Sequence, residues 1–312
     1  MLNNLPICKL LGIQYPILQG GMACLGTWEL VSAVSNAGGL GIIGSGNASS
    51  EWVRNQIKLT KSNTNKPFGI NIMLMSSFLE EILKIVIEEK VSIVTFGGGN
   101  PGIYVKSFKE AGIKVIPVVS SVALAKRLER FGVDAIIAEG LESGGHVGDT
   151  TTMSLIPQIC DSVKIPVIAA GGIADGRGLL AALALGAQGV QIGTRFICTN
   201  ECIAHPKYKE YIINAQDRAT VVTGNTTGHP IRCLENKLTR QFASLEKKGA
   251  TPEDLEEFGK GRLKLGVIDG NIDEGSLMAG QISGLIKDIK PVKMVIESII
   301  AEAENILKSL SN

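Results

Sequence analysis

Apolar positions along the chain fall on two periods. Short runs that are apolar on both faces, rich in Ile and Val, alternate with longer stretches in which apolar residues return every three or four positions, and the alternation recurs about every twenty to thirty residues. Eight strand cores are predicted: Pro16–Gln19, Leu40–Ile43, Phe68–Leu74, Val91–Phe96, Ile113–Val118, Ala135–Ala138, Val167–Ala170 and Val190–Ile192. Such runs suit a parallel sheet covered on both sides.

The intervening stretches carry helix punctuation. Gly38, Gly112, Gly132 and Gly186 each stand just ahead of a strand, where the left-handed position after a helix favours glycine. Asn100 reads as an N-cap with Pro101 at the first helical position, and Asp175 as the cap of the helix after the seventh strand. Between Ser121 and Gly132, Leu124, Leu128 and Phe131 share one face, with Lys126, Arg127, Glu129 and Arg130 elsewhere, which predicts an outer helix.

Eight strand–helix units predict an α/β fold, a closed (β/α)8 TIM barrel; an open doubly wound sheet is the competing arrangement. About 118 residues follow the eighth strand, more than one closing helix needs. The predicted division is a barrel of residues 1–195 plus a closing C-terminal helix within about 285–312, Val292–Leu310 being its amphipathic part, and a helical cap or lid, residues 196–284, over the mouth.

Composition narrows the classes. With 45% hydrophobic residues and 31 Lys+Arg against 30 Asp+Glu, a net charge of +1, the chain is neither disordered nor a nucleic-acid binder led by charge. The first ten residues lack a secretory pattern, and the uncharged stretch Gly178–Thr194 holds Gly186, Gly189, Gly193, Gln188 and Gln191, so it reads as helix, turn and strand rather than a membrane span. A cytoplasmic protein is expected, its six cysteines serving as reduced, mostly buried thiols.

There are 37 glycines, and they gather at predicted strand ends. Barrel active sites lie at the C-terminal ends of the strands. Strand one ends Gln19-Gly20-Gly21-Met22-Ala23; strand three carries Asn71; strand six leads through Glu139-Gly140 to Ser143-Gly144-Gly145-His146. Strand seven ends in Gly171-Gly172 and strand eight in Gln191-Ile192-Gly193-Thr194. Bare backbone N–H groups at the last two ends suit a phosphate, in the place where many barrels bind one; tight turns are the alternative. Asn71 and Gln191 are placed to bond a polar ring or, equally, each other's strands. His146 is a candidate proton-transfer group, whereas His205 and His229, each before proline, are assigned to turns of the cap.

Several motifs fail their context. Gly39 to Gly44 matches a dinucleotide fingerprint but runs along a strand. Asp269, Asn271 and Asp273 begin like a calcium loop, yet Glu274 and Gly280 occupy the positions of its glycine and bidentate glutamate. No zinc spacing is present. Lys237, Arg240, Lys247, Lys248, Lys260, Arg262 and Lys264 make a mildly basic stretch, read as a solvated face or a surface that steers an acidic partner.

Together QGGMA, NAGGLGIIGSGN, KPFGINIML, AEGLESGGHVG, IPVIAAGGIADG, QIGTRF and SLMAGQ resemble the FMN-dependent barrel oxidoreductases that comprise the flavin enoyl-acyl-carrier-protein reductases and the nitronate monooxygenases, or 2-nitropropane dioxygenases. The likeness runs from Leu11 to about Pro291. It implies FMN across the mouth: Gly21, Met22 and Ala23 against the ring, Asn71 and Gln191 on its polar edge, and the phosphate on Gly171, Gly172, Gly193 and Thr194. It further counts Glu139, Gly144, Gly145, Met278 and Gln281 as cofactor-binding, and His146 as catalytic.

Asn47, Ala138-Glu139-Gly140, Asn100-Pro101, the long cap and GHPIRCLENKLTRQF look more like the reductase branch; Cys24 departs from it, since reductase members commonly place tryptophan there. The implied activity is enoyl reduction in type II fatty-acid synthesis with NADH or NADPH as reductant, acyl carrier protein as partner and a homodimer as assembly, with no nucleic acid and no membrane. Nitronate oxidation is the alternative. A non-catalytic phosphate-ligand scaffold is a third reading, which a colourless protein that takes up no FMN would favour.

Overall fold

The computed structural model describes Leu2 and residues 5–310; the outer limits of the expected barrel unit, residues 1 and 311–312, lie outside the described residues. Eleven strands occur among them: β1 (Ile17–Gln19), β2 (Gly41–Gly44), β3 (Phe68–Met73), β4 (Ile93–Gly97), β5 (Lys114–Val119), β6 (Ile136–Glu139), β7 (Gly145–His146), β8 (Val167–Ala170), β9 (Gly189–Ile192), β10 (Thr220–Thr223) and β11 (Ile231–Leu234).

Eight of them run parallel in the order β1-β9-β8-β6-β5-β4-β3-β2, and a parallel bridge from Leu18 to Leu40 joins the ends into a ring. This is the (β/α)8 barrel, with each predicted strand present and its ends shifted by at most two residues. The seam needs help, because β1 and β2 share only a few main-chain bonds. Gln19, fully buried, supplies it: its carbonyl oxygen accepts the Ile42 N–H at 3.0 Å and its amide donates to the Ile42 carbonyl at 3.2 Å.

Alternation along the strands builds two apolar layers. Leu18, Ile42, Ile116, Ile137 and Ile168 point inward, where Ile7, Cys8 and Leu11 of the helix Pro6–Leu11 join them at one end. Ile17, Ile43, Val115, Ile136 and Ala169 point outward beneath the helices. Gly38, Gly112, Gly132 and Gly186 take φ from 74 to 101°, as predicted.

Two local expectations are corrected. The helix expected to start at Pro101 starts one residue later, at Gly102, whose N–H bonds the Asn100 side chain, because Pro101 stays at the cap. In the helix Val122–Arg130 the buried face is Ala125 and Leu128, while Phe131 is exposed and lays its ring against Gly102.

The helix Val292–Leu310 packs on the helices Gly176–Ala184 and Trp28–Asn36, filling the last place in the outer ring. It fits tightly: a Cβ on Gly176 would fall 2.4 Å from Ala303 N, and the Glu302 carboxylate accepts the Gly176 N–H at 2.8 Å. Residues between β9 and this helix form the helices Pro206–Ile213, Lys237–Lys247, Pro252–Gly259 and Arg262–Val267 and the hairpin β10–β11. That hairpin is extended by β7, which belongs to the loop after β6, so barrel and overlying segment share one three-stranded antiparallel sheet.

Candidate active site

Two groups of residues meet on the C-terminal rim of the barrel. In the first, the loop after β1 folds back on its neighbours: a Cβ on Gly21 would fall 2.2 Å from the Cβ of Asn71, and one on Gly20 would lie 3.5 Å from the Gln191 side chain. Met22 crosses toward β9, its sulfur 3.7 Å from where a Gly193 Cβ would stand, and Gly46 closes on Ala23. Asn71 donates to the Thr95 hydroxyl at 3.0 Å, so the inter-strand alternative holds for one end of its amide. Cys24 adopts φ 65°, the left-handed region; burial pushes its thiol up, and the Lys264 ammonium nearby pulls it back.

The second group surrounds the loop after β6. Gly171 and Gly172 take φ of 90° and 73° and leave the β8 end without side chains. Their wall is built by residues the sequence did not single out. Glu142 turns its carboxylate onto Thr152, accepting the backbone N–H at 2.9 and 3.1 Å and lying 2.8 Å from the hydroxyl, while that hydroxyl also lies 3.0 Å from the Gly171 carbonyl. Gly144 sits against Ala279 and Gly280, and the Gln281 N–H bonds the Glu142 carbonyl at 2.9 Å. Gln281 is otherwise exposed, and Met278 lies beside Gly145. Thr194 joins the two groups: its hydroxyl accepts the Gly280 N–H at 2.9 Å. A Cβ on Gly193 would meet nothing but the Met22 sulfur, so this stretch of backbone is open.

Arg232, buried on β11 opposite Gly145, donates to the Leu141 carbonyl and to the Thr220 hydroxyl, each at 3.1 Å, and thereby pins the loop to the overlying hairpin. Burial lowers its guanidinium from the ordinary value, with Glu142 opposing. Glu139, at the end of β6, is enclosed by protein yet keeps some surface toward the mouth; desolvation pushes its carboxyl up to about 7, with the Ser143 hydroxyl acting to lower it.

His146 stands on β7 with an exposed ring, and no hydrogen bond to that ring occurs among the described residues. Desolvation, then the neighbouring His229, lowers its pKa. His229 lies, as expected, in a turn, the one between β10 and β11, and the pairing of β11 with β7 brings that turn up to His146. His205 does cap a helix, accepting the Lys207 N–H.

The rim suits a polar ligand. The hydroxyl of Ser45 is buried there without a partner, and buried hydroxyls are rarely left so. Open backbone at Gly193, with the left-handed pair Gly171-Gly172 alongside, offers N–H groups to an anion. The residues present therefore fit a phosphate-bearing cofactor with a polar ring. The basic stretch is a balanced face: Lys237 and Arg262 pair with Glu274, Arg240 with Glu235 and Lys260 with Glu257. Among the described residues no helix is long and apolar enough to cross a membrane, and no cluster of three potential metal ligands occurs.

Comparison with known proteins agrees with the barrel fold. The family profile described as Nitronate monooxygenase matches residues 4–83 and 77–302. The solved structure of FabK from Thermotoga maritima superposes with a TM-score of 0.97 at 50% identity, covering 99% of this chain and 98% of that one. A (3aS,4S,5R,7aS)-5-hydroxy-7a-methyl-1-oxo-octahydro-1H-indene-4-carboxyl-CoA dehydrogenase of Mycobacterium tuberculosis is 34% identical over 98% of each chain. A probable nitronate monooxygenase of Staphylococcus saprophyticus is 33% identical, covering 96% of this chain and 98% of its own.

Proposed function

This chain belongs to the nitronate monooxygenase family, an oxidoreductase family, and from that membership we propose a flavin-dependent enoyl reductase acting on a trans-2-enoyl thioester of acyl carrier protein. The observation that carries the flavin is the glycine rim: main chain without side chains at Gly171 and Gly172 and open at Gly193, beside the unpartnered Ser45 hydroxyl. What favours the reductase branch is the 50% identity to FabK, which we take as a member of that branch, against 33% to the probable nitronate monooxygenase. The Mycobacterium tuberculosis relative supports thioester chemistry, since its name gives a carboxyl-CoA as substrate.

FMN bound here would supply hydride exchange, accepting from NADH or NADPH and delivering to the substrate β-carbon. The chain's own residues orient and moderate. Gly171, Gly172, Gly193 and Thr194 would hold the phosphate through main-chain N–H groups; Gly21, Met22 and Ala23 would face the ring, with Asn71 and Gln191 at its polar edge. Glu139, Gly144, Gly145, Met278 and Gln281 would complete the enclosure.

His146 would face the thioester. Its pKa is lowered from the ordinary value, so as a neutral imidazole it would polarise the carbonyl oxygen through an N–H as enolate charge develops, and the α-carbon would then take its proton from solvent water. The test is an anaerobic titration. Bleaching of the bound flavin by NADH or NADPH, followed by recovery of its colour with crotonyl thioester, is expected. A flavin that NADH and NADPH leave coloured, but that an alkyl nitronate bleaches and oxygen then restores, would favour the second reading, which the family profile itself supports.

A further inference from the structure

We propose that His229 acts through His146: the two imidazoles work as one unit on the rim, His229 fixing which protonation form of His146 meets the substrate. The register of the three-stranded sheet carries this. Ile231 stands opposite His146, and the Val147 N–H bonds the Pro230 carbonyl at 3.1 Å, so the residue before that proline arrives beside the His146 ring. Continued one step, that register sets position 229 diagonally across from His146, and both residues are exposed.

The other charged groups around β7 are Arg232, which bonds Leu141 and Thr220, Glu142, which bonds Thr152, and Asp149, beside the Thr150 hydroxyl at 3.4 Å. Burial is the larger cause of the lowered His146 pKa, and His229 is the neighbouring group that adds to it. In a hydrolytic triad a carboxylate favours the imidazolium; here a second imidazole disfavours it. His229 is a positioning residue, since nothing requires it to touch the reacting atoms.

The inference rests on His146 as the substrate-facing group, but its test needs no turnover. With three histidines in the chain, ring-proton NMR follows each titration separately, His146→Asn and His205→Asn assigning the signals. In His229→Gln the His146 midpoint moves up, while His229→Lys keeps it low. In the unaltered chain the midpoint rises as salt goes from about 0.01 to 1 M, where the screening length falls from about 30 to about 3 Å; in His229→Gln that salt response shrinks. The acidic limb of the kcat/KM profile follows the same shifts. A His146 midpoint that neither the Gln variant nor salt displaces overturns the proposal. Should the Gln variant fail to fold, the salt titration of the unaltered chain decides alone.

Discussion

Gly21 and Asn71 occupy the same space but for one methyl group: a Cβ added to the glycine would stand 2.2 Å from the Cβ of the asparagine. Gly21→Ala must therefore push the β1 loop or β3 aside. A loss of about 2 to 3 kcal/mol in unfolding free energy is expected from such overpacking. Pairing it with Asn71→Gly should restore the stability but not the FMN affinity, because the amide is gone. Denaturant melts and visible absorbance of the purified variants read the two effects separately.

At Gly193 the expectation is reversed. Its φ of −107° is open to any residue, and a side chain there would meet only the Met22 sulfur at 3.7 Å. Gly193→Val should leave the melting temperature of the apoprotein within about a degree, by analogy with surface changes of small effect, while abolishing FMN uptake. Undiminished uptake would remove the phosphate from this end of the barrel.

Gln19 closes the ring with its side chain, so replacing it tests the seam. Gln19→Leu strands a buried N–H and a buried carbonyl on Ile42, each costing about 1 to 3 kcal/mol, and a total loss of about 2 to 6 kcal/mol is expected by chemical denaturation. A smaller loss would mean that the main-chain bonds between β1 and β2 suffice.

Glu139 makes stability depend on pH in a defined window. Its carboxyl is raised from 4.5 to about 7 in the folded chain, so the folded state holds a proton that the unfolded state has released. The stabilisation is complete below about 4.5 and is lost as pH rises through about 7. Glu139→Gln should remove that slope. Melting curves across this range compare the two, and parallel curves would count against a buried neutral acid.

Replacing His146 with Ala should leave FMN bound and cut enoyl thioester turnover by roughly 100-fold or more, the usual contribution of a positioned acid or base. Unchanged turnover would take His146 out of the chemistry.

Much of this was legible in the sequence because backbone requirements leave marks. Parallel strands read as apolar runs, helix ends as glycines with positive φ, and the rim as a cluster of glycines where side chains would obstruct. Residues that act through tertiary partners leave no such mark. Gln19 sits in an ordinary strand run, and only ring closure turns its amide toward Ile42. Glu142 is one more acid in a loop until Thr152 comes alongside. Pro230 marks His229 as part of a turn, where it lies, but no local pattern announces that β11 will pair with β7, 85 residues earlier in the register of Ile231 with His146.

The outer ring has a consequence for how the molecule comes into being. Its eighth place is taken by Val292–Leu310, while β8 is finished at Ala170 and the helix that this last one clamps begins at Gly176. A ribosome making this chain releases that strand and helix long before it delivers the piece that braces them. Until then the apolar undersides of Trp28–Asn36 and Gly176–Ala184 lack the cover that Val292–Leu310 gives them, so the ring closes only once that helix has been made.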